Sequence, residues 1–243
     1  MRKLPVLLGV LLVAAAWWAW PGAARALMWV GGQGGINILA NSDIDQGIQG
    51  VGENTFQSVR FDNPTPIGGV QVGYAFVREG FLGRNYPDWM KYFGVMLDFT
   101  YNTFEVRPQD VTAMWDGTVN TGPDKKGTMA VLSFLFMGRY GFFPDSEVPF
   151  GRLQPYLSLG PGVAFTSLNP GFGVGSASSV YIALVTEAGL RWMALKNVAL
   201  DAAFRYRWVE QPKYNFDGGN GTVYVRVQEF QSFSALFRVS YLF

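Results

Sequence analysis

The chain has 243 residues and a formal net charge of +1, which gives no basic surplus for nucleic acid and no case for it as a partner. It has no cysteine, so disulfide stapling and thiolate chemistry are both excluded. Its 30 glycines and 16% aromatic content, with 49% of residues hydrophobic, favour many strands and turns in one domain over a helical bundle.

Arg2 and Lys3 precede an apolar run from Leu4 to Trp20 and then a small-residue site, Ala24-Arg25-Ala26. This order reads as a secretory signal over residues 1–26, cleaved after Ala26, with a single domain over residues 27–243. The alternative is a membrane anchor helix. Against it stand Pro5, Gly9 and a run that stops at Pro21-Gly22, marginal for the roughly 20 residues a span needs. No other apolar stretch is long enough for a spanning helix, so a helical membrane protein is not expected.

From Met28 onward the pattern is one of extended segments with period two. The first strand, Met28 to Ala40, sets Val30, Ile36 and Ile38 against Gln33, Gly35 and Asn37. Asn41 to Pro66 is polar, carries Asp43, Asp45, Glu53 and Asp62, and reads as a long outer loop. The second strand, Ile67 to Val77, turns Val70, Val72, Tyr74 and Phe76 outward and Gly69, Gln71, Gly73 and Ala75 inward; small inward residues suit a narrow barrel. After a connection from Arg78 to Lys91, the third strand runs from Tyr92 to Phe104, with Phe93, Val95, Leu97, Phe99 and Tyr101 opposite Asp98 and Thr100.

Glu105 to Gly127, punctuated by Pro108, Asp116-Gly117 and Gly122-Pro123, reads as a second outer loop. The fourth strand, Thr128 to Tyr140, alternates least cleanly: Leu132, Phe134, Phe136 and Tyr140 face one way, and Ser133 and Arg139 share the other with Val131 and Leu135. Pro144 to Arg152 leads to the fifth, Leu153 to Phe165, where Pro161 is expected at a bulge or bend. Ser167 to Ser179 reads as a third outer loop, and the sixth strand, Tyr181 to Trp192, points Glu187 and Arg191 inward.

A short turn, Ala194 to Asn197, precedes the seventh strand, Val198 to Val209, which opposes Asp201, Arg205 and Arg207 to Leu200, Ala202, Phe204, Tyr206 and Trp208. The last loop, Gln211 to Thr222, ends in a hairpin signal, Asn220-Gly221, and the closing strand is expected from about Val223. Its final residues put Phe233, Ala235, Phe237, Val239, Tyr241 and Phe243 on one face, and Ser232, Ser234, Arg238 and Ser240 on the other.

An apolar face repeated in segment after segment, without helices to cover it, suits a barrel with an oily outside and a polar inside. The expected fold is all-β: a transmembrane antiparallel up-and-down β-barrel of eight strands, with both ends on the periplasmic side of a bacterial outer membrane. Trp29, Tyr101, Tyr140, Trp192, Trp208 and Tyr241, near strand ends, are expected at the two membrane interfaces.

The ordered set Gly69–Phe76, Tyr92–Tyr101, Gln154–Phe165 and Arg238–Phe243 resembles the small outer-membrane barrel family typified by the transmembrane domain of outer-membrane protein A. The resemblance spans nearly the whole of residues 27–243. It implies an assembly signal at Phe237, Val239, Tyr241 and Phe243, read by the barrel assembly machinery, and partners in outer-membrane lipid and lipopolysaccharide. No peptidoglycan-binding domain is expected after Phe243, a departure from the longer members.

Barrel lipases, deacylases, palmitoyl transferases and proteases depend on a histidine, and this sequence has none. The inward acids Asp98, Glu187 and Asp201 accompany Arg139, Arg191, Arg205, Arg207 and Arg238, and are expected to form a lumen network of ion pairs in preference to a catalytic set. Asp43 with Asp45, and Asp110, Asp116 and Asp124, lack the spacing of a calcium loop and read as solvated loop charge, so no metal and no cofactor is expected. Gly171, Gly173 and Gly175 read as a flexible loop, and Asn220-Gly221-Thr222 as a turn in preference to a glycosylation acceptor.

The expected function is that of a non-enzymatic outer-membrane protein with an envelope role. One alternative is a narrow channel or transporter, passing small anions through the lumen or hydrophobic molecules through a lateral gap. The other is an adhesin or receptor acting through loops 41–66 and 105–127.

Overall fold

The computed structural model describes residues 27–48, 52–76, 86–113, 117–120, 124–171, 175–218 and 221–243. The secretory signal expected over residues 1–26 lies outside them, as do most of the Arg78 to Lys91 connection, Asp116, Gly173 and Asn220. The strands run in chain order as β1 (Leu27–Leu39), β2 (Ser42–Ile48), β3 (Gly52–Val59), β4 (Thr65–Ala75), β5 (Phe93–Val106), β6 (Asp110–Ala113) and β7 (Gly117–Asn120). They continue as β8 (Lys125–Arg139), β9 (Leu153–Asn169), β10 (Ala177–Leu195), β11 (Val198–Val209), β12 (Lys213–Gly218), β13 (Gly221–Val227) and β14 (Phe230–Leu242).

Eight of them close into one antiparallel barrel in the order β1-β14-β11-β10-β9-β8-β5-β4. These are the eight strands read from the sequence. Six of the eight barrel strands reach 13 residues or more (β1, β5, β8, β9, β10 and β14), and every one is at least as long as the roughly 9–11 that a tilted strand needs to cross a bilayer. The end where β1 starts and β14 stops is called the near end; the far end carries the longer excursions. At the near end β10 and β11 are joined through Lys196 and Asn197 alone.

Alternation sorts each strand into two environments. Phe237, Val239 and Tyr241 of β14 are 56%, 49% and 48% exposed, while Ser234, Arg238 and Ser240 on its other face are about 1% exposed. The clean phase follows from closure: a sheet rolled on itself has one inside, and a one-residue slip would exchange every side chain between the two. Pro161 departs from expectation. Ser133↔Gly162 and Phe136↔Leu159 lie in one register on either side of it, with no bulge; its side chain is exposed, so the proline costs only ladder bonds.

The largest correction concerns the far end. The stretch 41–66 is not a loop but carries β2 and β3, the stretch 105–127 carries β6 and β7, and 211–222 runs into β12 and β13. These hairpins form a second, six-stranded sheet ordered β12-β13-β2-β3-β6-β7. Val223 accordingly belongs to this sheet, and the closing barrel strand begins at Phe230. The third expected loop shrinks as well, because β9 reaches Asn169 and β10 starts at Ala177. The sheet has its own period two: Tyr214, Phe216, Val225 and Val227 are buried, with polar residues between them.

That buried face packs on the barrel's far mouth. Ile44, Tyr214, Phe216, Val225 and Val227 join Leu39, Phe104, Met129, Val131, Val209 and Phe230 in one apolar cluster. A second cluster at the near end gathers Trp29, Met96, Leu135, Met137, Tyr156, Met193 and Leu242, together with Val148 from the near-end connection. The interior residues of β11, from near to far, are Ala199, Asp201, Ala203, Arg205, Arg207 and Val209. Charge therefore occupies the middle of the barrel, between two apolar layers.

Candidate functional site

Five strands contribute to a closed ring of side chains at mid-barrel. Arg205 on β11 donates from Nη1 to Asp98 Oδ1 on β5 at 2.8 Å and from Nε to Glu187 Oε2 on β10 at 2.9 Å. Glu187 also accepts from Arg238 of β14, with Nη1 2.6 Å from Oε1 and Nη2 against Oε2. Arg238 Nε then donates to Gln33 Oε1 on β1 at 2.6 Å, and Gln33 Nε2 closes the circuit on Asp98 Oδ2 at 2.6 Å. Tyr156 of β9 joins from the side, accepting from Arg238 at 2.7 Å.

Local sequence explains why these residues meet. Glu187 lies opposite Arg205, and Gln33 opposite Arg238, in the antiparallel registers. Cross-strand neighbours on one face stand about 4.5–5.5 Å apart, close enough for direct bonds. Arg205 then spans the lumen to Asp98. All members of the ring except Gln33 are at most about 1% exposed, and Gln33 is 8% exposed. Charges taken out of water are tolerable only when each finds opposite charge and hydrogen-bond partners; the ring gives every guanidinium an opposite charge, and Arg205 Nη2, which makes no hydrogen bond, lies 2.8 Å from Glu187 Oε2.

Arg191 and Asp201 form a separate two-point pair, with Nε to Oδ1 at 2.7 Å and Nη2 to Oδ2 at 3.2 Å. The Arg191 guanidinium lies over the Trp29 ring, 4.7 Å from its centroid. Trp29 was expected at a membrane interface, yet it is fully buried inside the barrel. The reason is parity: residue 29 shares the inward face with Gly31, Gln33 and Asn37. Gly73 lies directly opposite, and a side chain there would collide with the indole. The same device seats Tyr156 over Gly189 and Phe104 over Gly127. The other five expected interface aromatics, Tyr101, Tyr140, Trp192, Trp208 and Tyr241, are exposed.

Two of the eight expected lumen residues have no carboxylate partner among the described residues. Arg207 donates to Thr100 Oγ1 at 2.9 Å and Asn102 Oδ1 at 3.2 Å. Arg139 donates to Gln154 Oε1 at 3.2 Å and stacks 4.4 Å from the Phe150 ring centroid. Sequence reasoning placed Gln33 and Thr100 on the inward face without assigning them to the network, and missed Tyr156, Asn102 and Gln154, although their inward parity is the same signal that marked the charges. The expected assembly residues Phe237, Val239, Tyr241 and Phe243 all lie on the exposed outer wall.

Outside the barrel wall, the near-end connection is organised by Asp145. It accepts from the Val148 amide at 2.7 Å and the Glu147 amide at 3.0 Å, and pairs with Arg152. The Val148 amide first, then Arg152, hold its carboxyl below the usual carboxylate range. At the far end Asp45 accepts from Thr55 and Gln228, each at 2.8 Å. No group of three or more acids able to hold a metal occurs among the described residues.

No family model and no curated protein matches the chain. Solved structures do. Neisserial surface protein A is similar at a TM-score of 0.50 and 12% identity, covering 89% of this chain and 97% of that one. The attachment invasion locus protein of Yersinia pestis, in complex with a heparin analogue, aligns over 89% of this chain and 99% of its own at 13% identity and a TM-score of 0.42. The outer membrane protease of Escherichia coli aligns over 93% and 99% at 9% identity and a TM-score of 0.49. With strand count, antiparallel closure and the inverted placement of polar and apolar side chains agreeing, this chain has the fold of the small eight-stranded outer-membrane barrels.

Proposed function

We propose that the protein is a non-enzymatic integral component of a bacterial outer membrane, with its near end in the periplasm and its six-stranded sheet displayed outside. The observation that carries this reading is the filled interior: Arg205, Arg207 and Arg238 are fully buried within a wall whose outer surface is apolar. Lipid then acts as solvent for the wall and the guanidiniums occupy the space a pore would need. The absence of histidine from the sequence supports a non-catalytic role, as does the engagement of Asp98, Glu187 and Asp201 by arginines. The outer wall is exposed to membrane lipid and lipopolysaccharide, and the terminal aromatics serve the barrel assembly machinery.

Reconstitution into planar bilayers tests the reading. Fusion of the protein without steady current supports it. A stable, high-conductance open state contradicts it and favours the channel alternative. The folding of three excursions into one sheet also favours a display role, and a chain lacking β2 and β3 that keeps every surface interaction of the intact protein would remove that part.

A further inference from the structure

We propose that the barrel interior binds a small monovalent anion of the halide class between Arg207, Ser232 and Asn37, on the far side of the charged ring. The three residues sit on contiguous strands. Arg207 on β11 faces Ser232 on β14, and Asn37 on β1 faces Ser234, two positions further along β14. Ser232 therefore lies between the other two, with Arg207 directly opposite on one side and Asn37 diagonal on the other, about 7–8 Å away.

All three are at most 1% exposed, and each holds one side-chain atom without a hydrogen-bond partner: Arg207 Nε, Ser232 Oγ and Asn37 Nδ2. Each of these atoms can donate. The acceptors beside them are already taken, since Asn37 Oδ1 receives the Ser234 hydroxyl, and Thr100 and Asn102 receive the Arg207 Nη atoms. A neutral water accepts two such bonds at most and leaves the Arg207 charge uncompensated. An anion accepts from all three and supplies the missing charge.

Charge balance points to the same place. Five interior arginines face three acids, and the ring and the Arg191–Asp201 pair consume all three acids. Arg139 and Arg207 remain. Arg139 lies at the near end against Phe150, whereas Arg207 lies deep, adjoining the apolar layer of Leu39, Met129, Val209 and Phe230. Beside such a layer a weakly hydrated monovalent anion costs less to desolvate than a strongly hydrated or multiply charged one.

The full chain folded into detergent micelles in sodium bromide and crystallised gives the direct test by anomalous scattering. Bromide within hydrogen-bonding reach of Arg207 Nε and Ser232 Oγ is the expected result. No anomalous peak there, or a peak beside Arg139 alone, overturns the proposal. In parallel, the urea midpoint is compared in sodium bromide and in sodium gluconate of equal ionic strength. The intact chain and Arg139→Met are expected to gain stability from the halide and Arg207→Met to lose that gain; an equal gain in Arg207→Met contradicts the site. Should Arg207→Met fail to fold, the diffraction experiment on the intact chain decides.

Discussion

Glu187 is the residue on which the interior depends most, because it accepts directly from both Arg205 and Arg238. Glu187→Gln leaves two guanidiniums buried with one carboxylate fewer, and removing one partner of a buried pair typically costs about 3–5 kcal/mol. Urea unfolding in micelles, followed by heat-dependent gel mobility, should show that loss, and Glu187→Gln combined with Arg238→Met should recover part of it. Gly73→Val tests the interior fit independently. Its side chain would meet the Trp29 indole, and the expected cost of such overpacking is about 1–3 kcal/mol, relieved when Trp29 is changed to alanine as well. The charged members of the ring were readable from inward parity, since Asp98, Glu187, Arg205 and Arg238 all alternate with lipid-facing residues. Their neutral partners were not singled out, because a glutamine or tyrosine on an inward face has no charge demanding an explanation. Trp29 shows the opposite error, in which residue type outweighed the parity that placed it inside.

Among the elements, the barrel strands were legible because lipid on one side and a polar lumen on the other impose the same alternation on all eight. The far-end hairpins were hidden by their setting. Asp43, Asp45 and Asp62, with the surrounding glycines, resemble solvated loop, and only the spacing of Tyr214, Phe216, Val223, Val225 and Val227 betrays strands packed on a core. Deleting residues 213–227 removes Tyr214, Phe216, Val225 and Val227 from the apolar cluster over the far mouth. The shortened chain is expected to fold as a barrel with a lower urea midpoint, and with faster hydrogen exchange at Phe104 and Val209; unchanged exchange there would show that the sheet does not cover the mouth. At the near end, Asp145 has a carboxyl pKa depressed by the Val148 amide and Arg152. A depressed carboxyl lends its stabilisation above its unfolded pKa, about 3.9, and loses it as pH falls further through the folded value. Amide exchange at Val148, corrected for its intrinsic pH dependence, should therefore lose protection only below about pH 4, and Asp145→Ala, which has no side-chain acceptor, should show the unprotected rate at all pH values.

Taken as a molecule, the protein inverts the usual arrangement of polar and apolar side chains across its wall and closes both mouths with apolar clusters around a ring of charge. The native sequence has no cysteine, so single cysteines can be placed without background, and β11 offers positions on both faces that are not themselves members of the ring. Spin labels at Ala199 and Ala203, which are buried, and at Ala202 and Phe204, which are exposed, can be compared in lipid bilayers for relaxation by oxygen and by a water-soluble nickel complex. The closed, inside-out barrel predicts strong oxygen relaxation at 202 and 204 and weak relaxation by either agent at 199 and 203. Oxygen accessibility in the opposite phase, or free access of nickel to 199 and 203 together, would contradict it.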